Sequence, residues 1–342
     1  MTDFRPTATL AALRTRAALT KRLRALFAER DYLEVETPAL SADVVVDAHI
    51  EPLRARIHPD PARRERYERR FLQTSPEFHL KRLVAAGYGS VWNLSRVFRD
   101  GEIGARHNPE FTMAEWYGVG EGRDTWRDQV RVTEEFLRAL EGGRDDSALR
   151  LTPSPFPLLT YDDAFARFVG TPVLDLTAAD LLALAHDRGV ALPGGIEGDR
   201  DGLLNVLLAE LVEPRLGGEE TGGPCFLCDY PASQAALATV RTDPGRPPVA
   251  ERFELYCDGV ELCNGYQELT DPAELRTRIA EQNRLRTAHG LEPLPAESRL
   301  LAAMEHGLPK CSGVALGFDR LVMLFTGATT LGEVVAFPHG VA

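Results

Sequence analysis

The stretch that decides the fold is Val97–Tyr117, which reads VFRDGEIGARHNPEFTMAEWY. One alternating run of apolar and polar residues ends at Phe98, and a second run begins at Phe111. Alternation of this kind is typical of β-strands that bury one face. A polar loop from Arg99 to Pro109 separates the two runs. The sequence therefore predicts a strand, a loop and a second strand.

The loop and the second strand carry side chains that suit a nucleotide. Arg99 has a planar guanidinium group that fits phosphate oxygens. Phe111, Glu115 and Tyr117 share one face of the second strand, because their positions differ by even numbers. A ring on which a base can stack then lies beside an acid and a phenol that can bind a cation. The alternative is a half-buried strand on which Glu115 is merely paired.

These residues resemble a motif of a known enzyme class. The FR pair, RHNPEFTM and EWY are similar to motif 2 of the class II aminoacyl-tRNA synthetases. The similarity is greatest to the lysyl branch and to its truncated relative, the elongation factor P β-lysine ligase family. The resemblance implies an α+β fold, with an antiparallel sheet flanked by helices, and a homodimer.

Two further segments resemble the other motifs of this class. Apolar residues recur at helical intervals over Thr9–Arg30, and Leu33–Pro38 alternates as a strand that ends in proline. Together they resemble motif 1, the dimer interface of the class, although an ordinary helix and strand would look the same. Gly313–Gly317 predicts a strand and Asp319–Phe325 a helix, and this pair resembles motif 3. Arg320 lies in the first turn of that helix.

Composition limits the function and the compartment. The 342 residues are 44% apolar, which is enough for a sizeable core. The formal charge of −12 argues against broad nucleic-acid binding, so no tRNA partner is expected. The chain has no apolar run of membrane-spanning length and no signal-peptide core at its amino terminus. We therefore expect a cytoplasmic protein with no membrane partner.

The cysteines predict free thiols. The chain has five of them, and an odd number suits a reducing compartment. Cys225 and Cys228 have the spacing of a zinc-binding pair. Packing within a strand, CFLCDY, is the favoured interpretation.

The resemblance covers nearly the whole chain, so we expect a single catalytic domain at residues 1–342. Residues 152–218 contain short apolar segments joined by Gly and Pro, which predicts a helical insertion. Only about 30 residues precede the motif 1 strand, too few for an independent domain. No anticodon-binding domain is therefore expected.

Two acids follow a predicted hairpin turn. Asp258-Gly259 is a typical two-residue turn, and VELCNGYQEL follows it. Glu261 and Glu268 are seven residues apart, so they would point to opposite faces of a regular strand. A bulge at Asn264-Gly265 would bring both acids to one side. The alternative is a second tight turn at Asn-Gly with both acids exposed.

The triplet Ser75-Pro76-Glu77 has the features of a helix start. Serine would cap the helix, proline would take the first helical position, and the acid would lie in the first turn. Capping alone accounts for all three residues. In the family that the chain resembles, the equivalent triplet lies in the substrate pocket, so Ser75 and Glu77 would face an amino group.

The resemblance also implies a reaction. ATP and (R)-β-lysine would form an acyl-adenylate with release of pyrophosphate, and the acyl group would pass to a lysine of elongation factor P. The catalytic residues would be Arg99 and Arg320, and Mg2+ would bind to Glu261 and Glu268. The implied ATP-binding residues are Arg99, Glu102, Asn108, Phe111, Glu261, Leu262, Gly317 and Arg320. The implied substrate-binding residues are Ser75, Pro76, Glu77, Glu115, Tyr117, Asn264, Tyr266, Glu268 and Ala315.

One position departs from the family pattern, and two other functions stay open. An acid usually stands two residues after the motif 2 arginine, but here Gly101 takes that place and Glu102 follows. Either Glu102 or the backbone would then contact the adenine edge. The first alternative function is a truncated lysyl-tRNA synthetase-like enzyme that activates α-lysine. The second is a non-catalytic binding module derived from a synthetase.

A basic segment stands apart in this acidic chain. Residues 54–70 contain seven arginines against Asp60, Glu65 and Glu68, a local charge of +4. Prolines at positions 59 and 61 favour a solvated loop or ribbon tip. Such a run is usually only solvated surface. The alternative is a docking patch for an acidic partner.

Overall fold

The computed structural model describes residues 4–142, 151–152 and 154–342. The predicted domain also includes residues 1–3, 143–150 and 153, which lie outside the described residues. The α-helices are α1 (Leu10–Glu29), α2 (Glu77–Ala85), α3 (Trp126–Glu141), α4 (Tyr161–Val169), α5 (Ala178–Asp187), α6 (Arg200–Leu207), α7 (Pro272–Ala288), α8 (Arg299–Gly307) and α9 (Phe318–Thr326). The strands are β1 (Leu33–Glu34), β2 (Leu40–Ser41), β3 (Arg54–Ile57), β4 (Glu68–Leu72), β5 (Val91–Phe98), β6 (Glu110–Val119), β7 (Leu158–Thr160), β8 (Cys225–Pro231), β9 (Val240–Arg241), β10 (Val249–Cys257), β11 (Val260–Gln267) and β12 (Cys311–Gly317).

One large sheet forms the centre of the structure. Its strand order is β1-β5-β6-β12-β11-β10-β8-β7, with β9 paired to β10. The two outer pairs, β1 with β5 and β7 with β8, are parallel, and the pairs between them are antiparallel. Strands β2, β4 and β3 form a second, small sheet. The predicted α+β fold, an antiparallel sheet flanked by helices, is confirmed.

The pairing of β6 with β12 brings distant parts of the chain together. Tyr117 lies opposite Gly313, and Glu115 lies opposite Ala315. A methyl group on Gly313 would lie 2.4 Å from both the Tyr117 ring and the Glu268 carboxylate. Glycine is therefore required here, because the two side chains fill the space that a Cβ atom would need.

The predicted amino-terminal helix is confirmed as α1, and Thr9 caps it through its side chain. Phe27 anchors the helix to the sheet by stacking on Trp92 at 4.2 Å between ring centroids. The predicted strand Leu33–Pro38 is wrong beyond its first residues, since β1 covers only Leu33–Glu34. The side-chain amide of Asn93 donates a hydrogen bond to the backbone carbonyl of Val35. The pairing of β1 with β5 therefore ends there.

The predicted helical insertion contains α4, α5 and α6, and residues 208–212 continue α6 as a π-helical turn. Its buried residues form a hydrophobic cluster of their own around Phe165, Leu181 and Leu204. The sequence did not predict the short strand β7, which precedes these helices and pairs with β8. The insertion is therefore joined to the edge of the main sheet.

The five cysteines are free thiols, as predicted, and all of them are buried. Cys225 and Cys228 lie three residues apart in β8, so they point to opposite faces of the sheet. Cys225 belongs to the hydrophobic cluster of the insertion and Cys228 to the main core. The packing interpretation is therefore correct, because side chains on opposite faces cannot share a zinc ion. Among the described residues, no helix combines the length and apolar character needed to cross a membrane.

A buried carboxylate ties both ends of the chain to the central sheet. Asp319, at the start of α9, accepts the backbone N–H of Thr112 on β6 at 2.8 Å and forms an ion pair with Arg16 of α1. Arg16 also donates to the Thr112 hydroxyl at 2.6 Å. The three elements are thereby held in one arrangement by charge-assisted hydrogen bonds.

Replacing Asp319 with Asn should lower the free energy of unfolding by about 1.5 to 3 kcal/mol, because hydrogen bonds to a charged group are lost and Arg16 loses its counter-ion. Urea denaturation followed by circular dichroism measures this. Asp187→Asn is the matched control, since Asp187 is exposed on α5. Equal unfolding midpoints for the two variants would contradict the role of Asp319.

Candidate active site

A deep cavity of about 1050 Å3 opens on the face of the sheet formed by β6, β12 and β11. It brings together all but Pro76 of the residues predicted for ATP, substrate and metal binding. The members in the cavity wall are Ser75, Glu77, Arg99, Glu102, Asn108, Phe111, Glu115, Tyr117, Glu261, Leu262, Asn264, Tyr266, Glu268, Ala315, Gly317 and Arg320.

One end of the cavity is built around the buried carboxylate of Glu115. Tyr117 donates its phenol to one oxygen at 2.7 Å, and Ser75 donates its hydroxyl to the other at 2.8 Å. Burial, reinforced by the nearby charge of Glu77, raises the pKa of Glu115 to about 8, against the opposing effect of these hydrogen bonds. A cation placed beside Glu115 would therefore stabilise its ionised form.

Ser75 does not act as the helix cap in the predicted way. The helix begins one residue later, at Glu77, and Pro76 takes the cap position without a side-chain hydrogen bond. The Ser75 hydroxyl oxygen still accepts the backbone N–H of Glu77 at 3.0 Å. The same hydroxyl thus orders the helix start and donates its proton to Glu115.

Lys81 was not predicted as a site residue, yet it lies directly behind this end of the cavity, in contact with two acids of its wall. Its side chain is 1% exposed, and its ammonium group is 2.5 Å from Glu77 and also forms an ion pair with Glu268. Burial lowers the pKa of Lys81, but Glu268 and Glu77 more than offset this, and the pKa lies above its ordinary value. Lys81 is therefore a fixed positive charge within the protein.

These groups give the cavity end a definite charge. Glu77, Glu115 and Glu268 supply three carboxylates, and Lys81 supplies one ammonium group. When all four are ionised, two negative charges are unbalanced in a site shielded from water. Buried charges require partners, so this end of the cavity suits a ligand with two ammonium groups.

The other end of the cavity carries arginines. Arg99 follows β5 and lies 5.1 Å from the centroid of the Phe111 ring. Its guanidinium donates to the Thr74 carbonyl at 3.4 Å and to Glu102 at 3.3 Å. Glu102 therefore lies at the cavity wall beside Arg99, in the region where the sequence left a choice between this acid and the backbone for the adenine contact.

Arg320 lies in the first turn of α9, which begins one residue earlier than predicted. It donates to the backbone carbonyl of Glu261 at 3.0 Å and to the Glu261 carboxylate at 3.3 Å. It also lies 2.9 Å from Nε2 of His107. Burial and the nearby Arg320 lower the pKa of His107, so its neutral ring can accept this hydrogen bond. Arg320 is thus held beside a helix start, a position that favours anions.

Strand β11 carries a bulge, but not at the predicted place. The pairing with β10 shifts register between Leu255 and Tyr256, whose partners are Cys263 and Glu261. Leu262 is the extra residue, and both Leu262 and Cys263 lie in the hydrophobic core. The ladder then continues regularly past Asn264-Gly265.

The bulge brings Glu261 and Glu268 to the same side of the sheet, as the sequence analysis required. Each acid has a different partner, because Glu261 pairs with Arg320 while Glu268 pairs with Lys81. The alternative of a second turn at Asn-Gly is excluded, since β11 runs through it without a break.

Two polar residues of the predicted site hold neighbouring elements. Asn108 donates to the Glu110 carbonyl at 2.6 Å and accepts the backbone N–H of His339 at 2.8 Å. Asn264 donates to the Tyr266 hydroxyl at 3.0 Å, and its own side-chain oxygen is buried without a partner in the described structure. That unpartnered oxygen is available to a donor group of a ligand.

A further acidic group at the cavity was missed by the sequence analysis. Glu254 on β10 accepts hydrogen bonds from Tyr230 at 2.6 Å and Tyr256 at 2.7 Å, and Arg252 pairs with it at 2.5 Å. Burial and the neighbouring Glu254 raise the pKa of Glu213 to about 7. Glu254 lies between apolar residues in a strand that also carries Glu251 and Arg252, so no pattern in the sequence singled it out.

The described residues contain no group of three or more His, Cys, Asp or Glu side chains arranged to hold a metal ion. A nucleotide-bound Mg2+ needs only one or two protein carboxylates, because phosphates and water supply its other ligands. Glu261 fits this role, since its half-buried carboxylate lies beside the arginine end of the cavity. Glu268 would first have to break its ion pair with Lys81 before it could bind the metal ion.

The fold and the site define the catalytic unit of a class II synthetase. The family described as class II tRNA synthetases (D, K and N) matches residues 1–340.

Curated relatives give the particular family. The chain is 41% identical over 341 residues, 99% of each chain, to elongation factor P–(R)-β-lysine ligase of Vibrio vulnificus. It is 43% identical to the ligase of the same name in Yersinia enterocolitica, over 99% of this chain and 98% of the relative. The ligase of Klebsiella pneumoniae is 42% identical over 98% and 97% of the two chains. The chain belongs to this family.

Replacing Lys81 with Met should weaken the binding of an amino acid with two ammonium groups, for which (R)-β-lysine is the probe, by at least about tenfold. Removing one partner leaves Glu77 and Glu268 buried without their counter-ion, so they lose their position and take up protons. Isothermal titration calorimetry measures the affinity, and ATP binding should change little. Lys310→Met is the matched control, since that exposed lysine forms only a 3.8 Å surface pair. Equal affinities in the two variants would refute the role of Lys81.

Binding of the same amino acid should release a proton near pH 7. Without a ligand, Glu115 is largely protonated at pH 7 because burial raises its pKa to about 8, and a bound ammonium group favours the ionised form. Affinity should therefore rise from pH 6 to pH 8. Calorimetry in two buffers of different ionisation enthalpy should detect up to about one released proton, which Glu115→Gln should diminish. Glu305→Gln is the surface control, and proton release that survives in Glu115→Gln would assign it elsewhere.

Proposed function

We propose that this chain is an ATP-dependent ligase that activates (R)-β-lysine as an acyl-adenylate and transfers it to a lysine side chain of elongation factor P. One observation carries the proposal. A single cavity joins an arginine end, with Arg99 and Arg320, to a buried carboxylate end, where Lys81 pairs with Glu77 and Glu268. An anionic nucleotide and a diammonium substrate fit the two ends.

In the first step the carboxylate of the amino acid attacks the α-phosphorus of ATP, and the bond to pyrophosphate breaks. Arg99 would stabilise the negative charge that develops on the α-phosphate, and Arg320 would neutralise the departing pyrophosphate. Phe111 would stack on the adenine ring. Such a reaction depends on positioning and electrostatics, and it needs no nucleophile from the protein.

Magnesium would compensate the phosphate charges when bound. We propose Glu261 as its principal protein ligand, because this carboxylate lies next to Arg320. Glu268 was also proposed as a ligand, but its contact with Lys81 supports a role towards the amino acid. Glu77, Glu115 and Tyr117 would share the two ammonium groups of the substrate with it.

In the second step the amine of an acceptor lysine attacks the acyl carbon, and AMP leaves. The acceptor amine must lose a proton as the amide bond forms. The cavity is large enough, at about 1050 Å3, to admit a lysine side chain beside the adenylate. A protein acceptor is supported by the name of relatives that match almost the full length of the chain.

We also propose that the enzyme is a homodimer that works through the motif 1 elements α1 and β1. Leu10 and Leu33 are exposed, at 63% and 48%, and an apolar contact would cover them.

Among the alternatives, a binding module without catalysis would have no need of both Arg99 and Arg320. A lysyl-tRNA synthetase-like enzyme would use the same cavity with α-lysine.

Pyrophosphate exchange with α-lysine and with (R)-β-lysine tests the first step, and transfer to purified elongation factor P tests the second. We expect faster exchange with (R)-β-lysine and a mass increase of elongation factor P on one lysine. Efficient charging of tRNA would favour the synthetase alternative. Absence of exchange with either amino acid would leave only the binding module.

Replacing Ala315 with Gly should raise the ratio of α-lysine to (R)-β-lysine activity in pyrophosphate exchange. Ala315 lies opposite both Glu115 and Asn264 in the sheet, so its methyl group takes volume where the two amino acids differ in the position of the amine. A difference of one methylene is worth about 1 to 3 kcal/mol, or roughly 10- to 200-fold. Ala55→Gly, on a strand of the small sheet, is the control. An unchanged ratio would place the selectivity elsewhere, at Ser75 and Glu77.

A further inference from the structure

The basic segment forms a defined surface, which we call the arginine hairpin (residues 54–72). Strands β3 and β4 pair along it, from Arg54 opposite Phe71 to Ile57 opposite Glu68. The connecting residues 59–67 are exposed. The predicted ribbon tip is thus a two-stranded hairpin that stands in solvent.

The arginines of the hairpin differ in whether they have an acidic partner among the described residues. Arg69 forms an ion pair with Glu292 at 2.6 Å, and Arg54, Arg63 and Arg70 also have acidic neighbours. In contrast, Arg56 lies over the ring of Tyr67 at 4.5 Å. Within the described part of the chain, no ion pair involves the guanidinium groups of Arg56, Arg64 and Arg66.

The pairing within the hairpin also places like charges together. Arg56 lies directly opposite Arg69 across the two strands. Like charges at such positions destabilise a strand pair. The hairpin therefore keeps a positive charge that its own folding does not require, and a negatively charged partner would relieve this cost.

The position of the hairpin decides which partner can reach it. Asp47, His49 and Ile50, just before β3, line the cavity, and so do Thr74 and Ser75, just after β4. Both ends of the hairpin thus start from the cavity wall. At about 3.3 Å per residue, its strands and tip extend well beyond a bound amino acid. A macromolecule whose lysine enters the cavity would lie alongside it.

The charge of the chain identifies the chemistry of that partner. The formal charge is −12 overall but +4 over residues 54–70. An acidic protein would be repelled by most of the surface and attracted here, and such a contrast steers association and fixes orientation. We propose that the arginine hairpin docks an acidic face of the protein acceptor and presents its lysine to the cavity. This rests on the proposed function, in which the acceptor is a protein.

The test is a triple variant, Arg56→Gln, Arg64→Gln and Arg66→Gln. Transfer of the (R)-β-lysyl group to elongation factor P is measured as a function of acceptor concentration at two salt concentrations. We expect the KM for the acceptor to rise by about tenfold, kcat to change little, and the salt dependence to become weaker. Pyrophosphate exchange, and reaction of the adenylate with hydroxylamine, should remain at the level of the unaltered enzyme.

A matched control carries Arg127→Gln, Arg246→Gln and Arg284→Gln, which remove the same charge from exposed positions outside the hairpin. This control should keep the KM of the unaltered enzyme. Equal KM values and salt dependence for the two triple variants would overturn the docking surface. The docking surface would also be overturned if the hairpin variant lost binding to RNA while its KM for the acceptor stayed unchanged, because the arginines would then bind a nucleic acid.

Failure of the proposed function gives a different result. An unaltered enzyme that forms the adenylate but transfers nothing to elongation factor P would overturn that function, and the acceptor docking with it. An unaltered enzyme that transfers normally, together with a hairpin variant that does the same, would overturn the docking surface alone.

Discussion

The structure depends on the single carboxylate of Asp319. It accepts the backbone N–H of Thr112, one residue before the part of β6 that pairs with β12, and it pairs with Arg16 of the first helix. Residues more than 200 positions apart in the sequence thus meet at one buried group. Arg320 follows Asp319 in the chain by one residue and Phe111 precedes Thr112 by one. The contact that stabilises the fold therefore also sets the distance between two residues of the nucleotide end.

The opposite end of the cavity uses charge in another way. A site made only of Glu77, Glu115 and Glu268 would contain three carboxylates at close range, and burial would drive protons onto them. Lys81 removes part of that repulsion permanently. The remaining demand for positive charge is met only when a ligand arrives. Binding of a diammonium compound and neutralisation of the site are then the same event.

Much of this could be predicted from local patterns. Strands β5 and β6, the loop between them and the helix α1 follow from hydrophobic periodicity, and the predicted residues of the cavity wall follow from the resemblance to family motifs on β6, β11, β12 and α9 and at the start of α2. The role of Lys81 could not be predicted, because a lysine inside an amphipathic helix is usually solvated and its second partner, Glu268, is distant in the sequence. Glu254 was also missed, because its partner Tyr230 lies on a different strand, β8. The bulge was expected because Glu261 and Glu268 are an odd number of residues apart. Its position depends on the partner strand β10, and only tertiary packing places it at Leu262.

The bulge at Leu262 divides β11 into two halves with opposite phase. Before it, odd-numbered residues such as Glu261 face the cavity, and after it the even-numbered residues Asn264 and Tyr266 do so. Loss of one residue between these halves would turn Glu261 into the core and an apolar side chain into the cavity. A substitution in β11 changes the contacts of one side chain. Deletion of a single codon instead exchanges the core-facing and cavity-facing residues along a whole half of the strand. Over evolutionary time this segment should therefore vary in sequence while its length stays fixed.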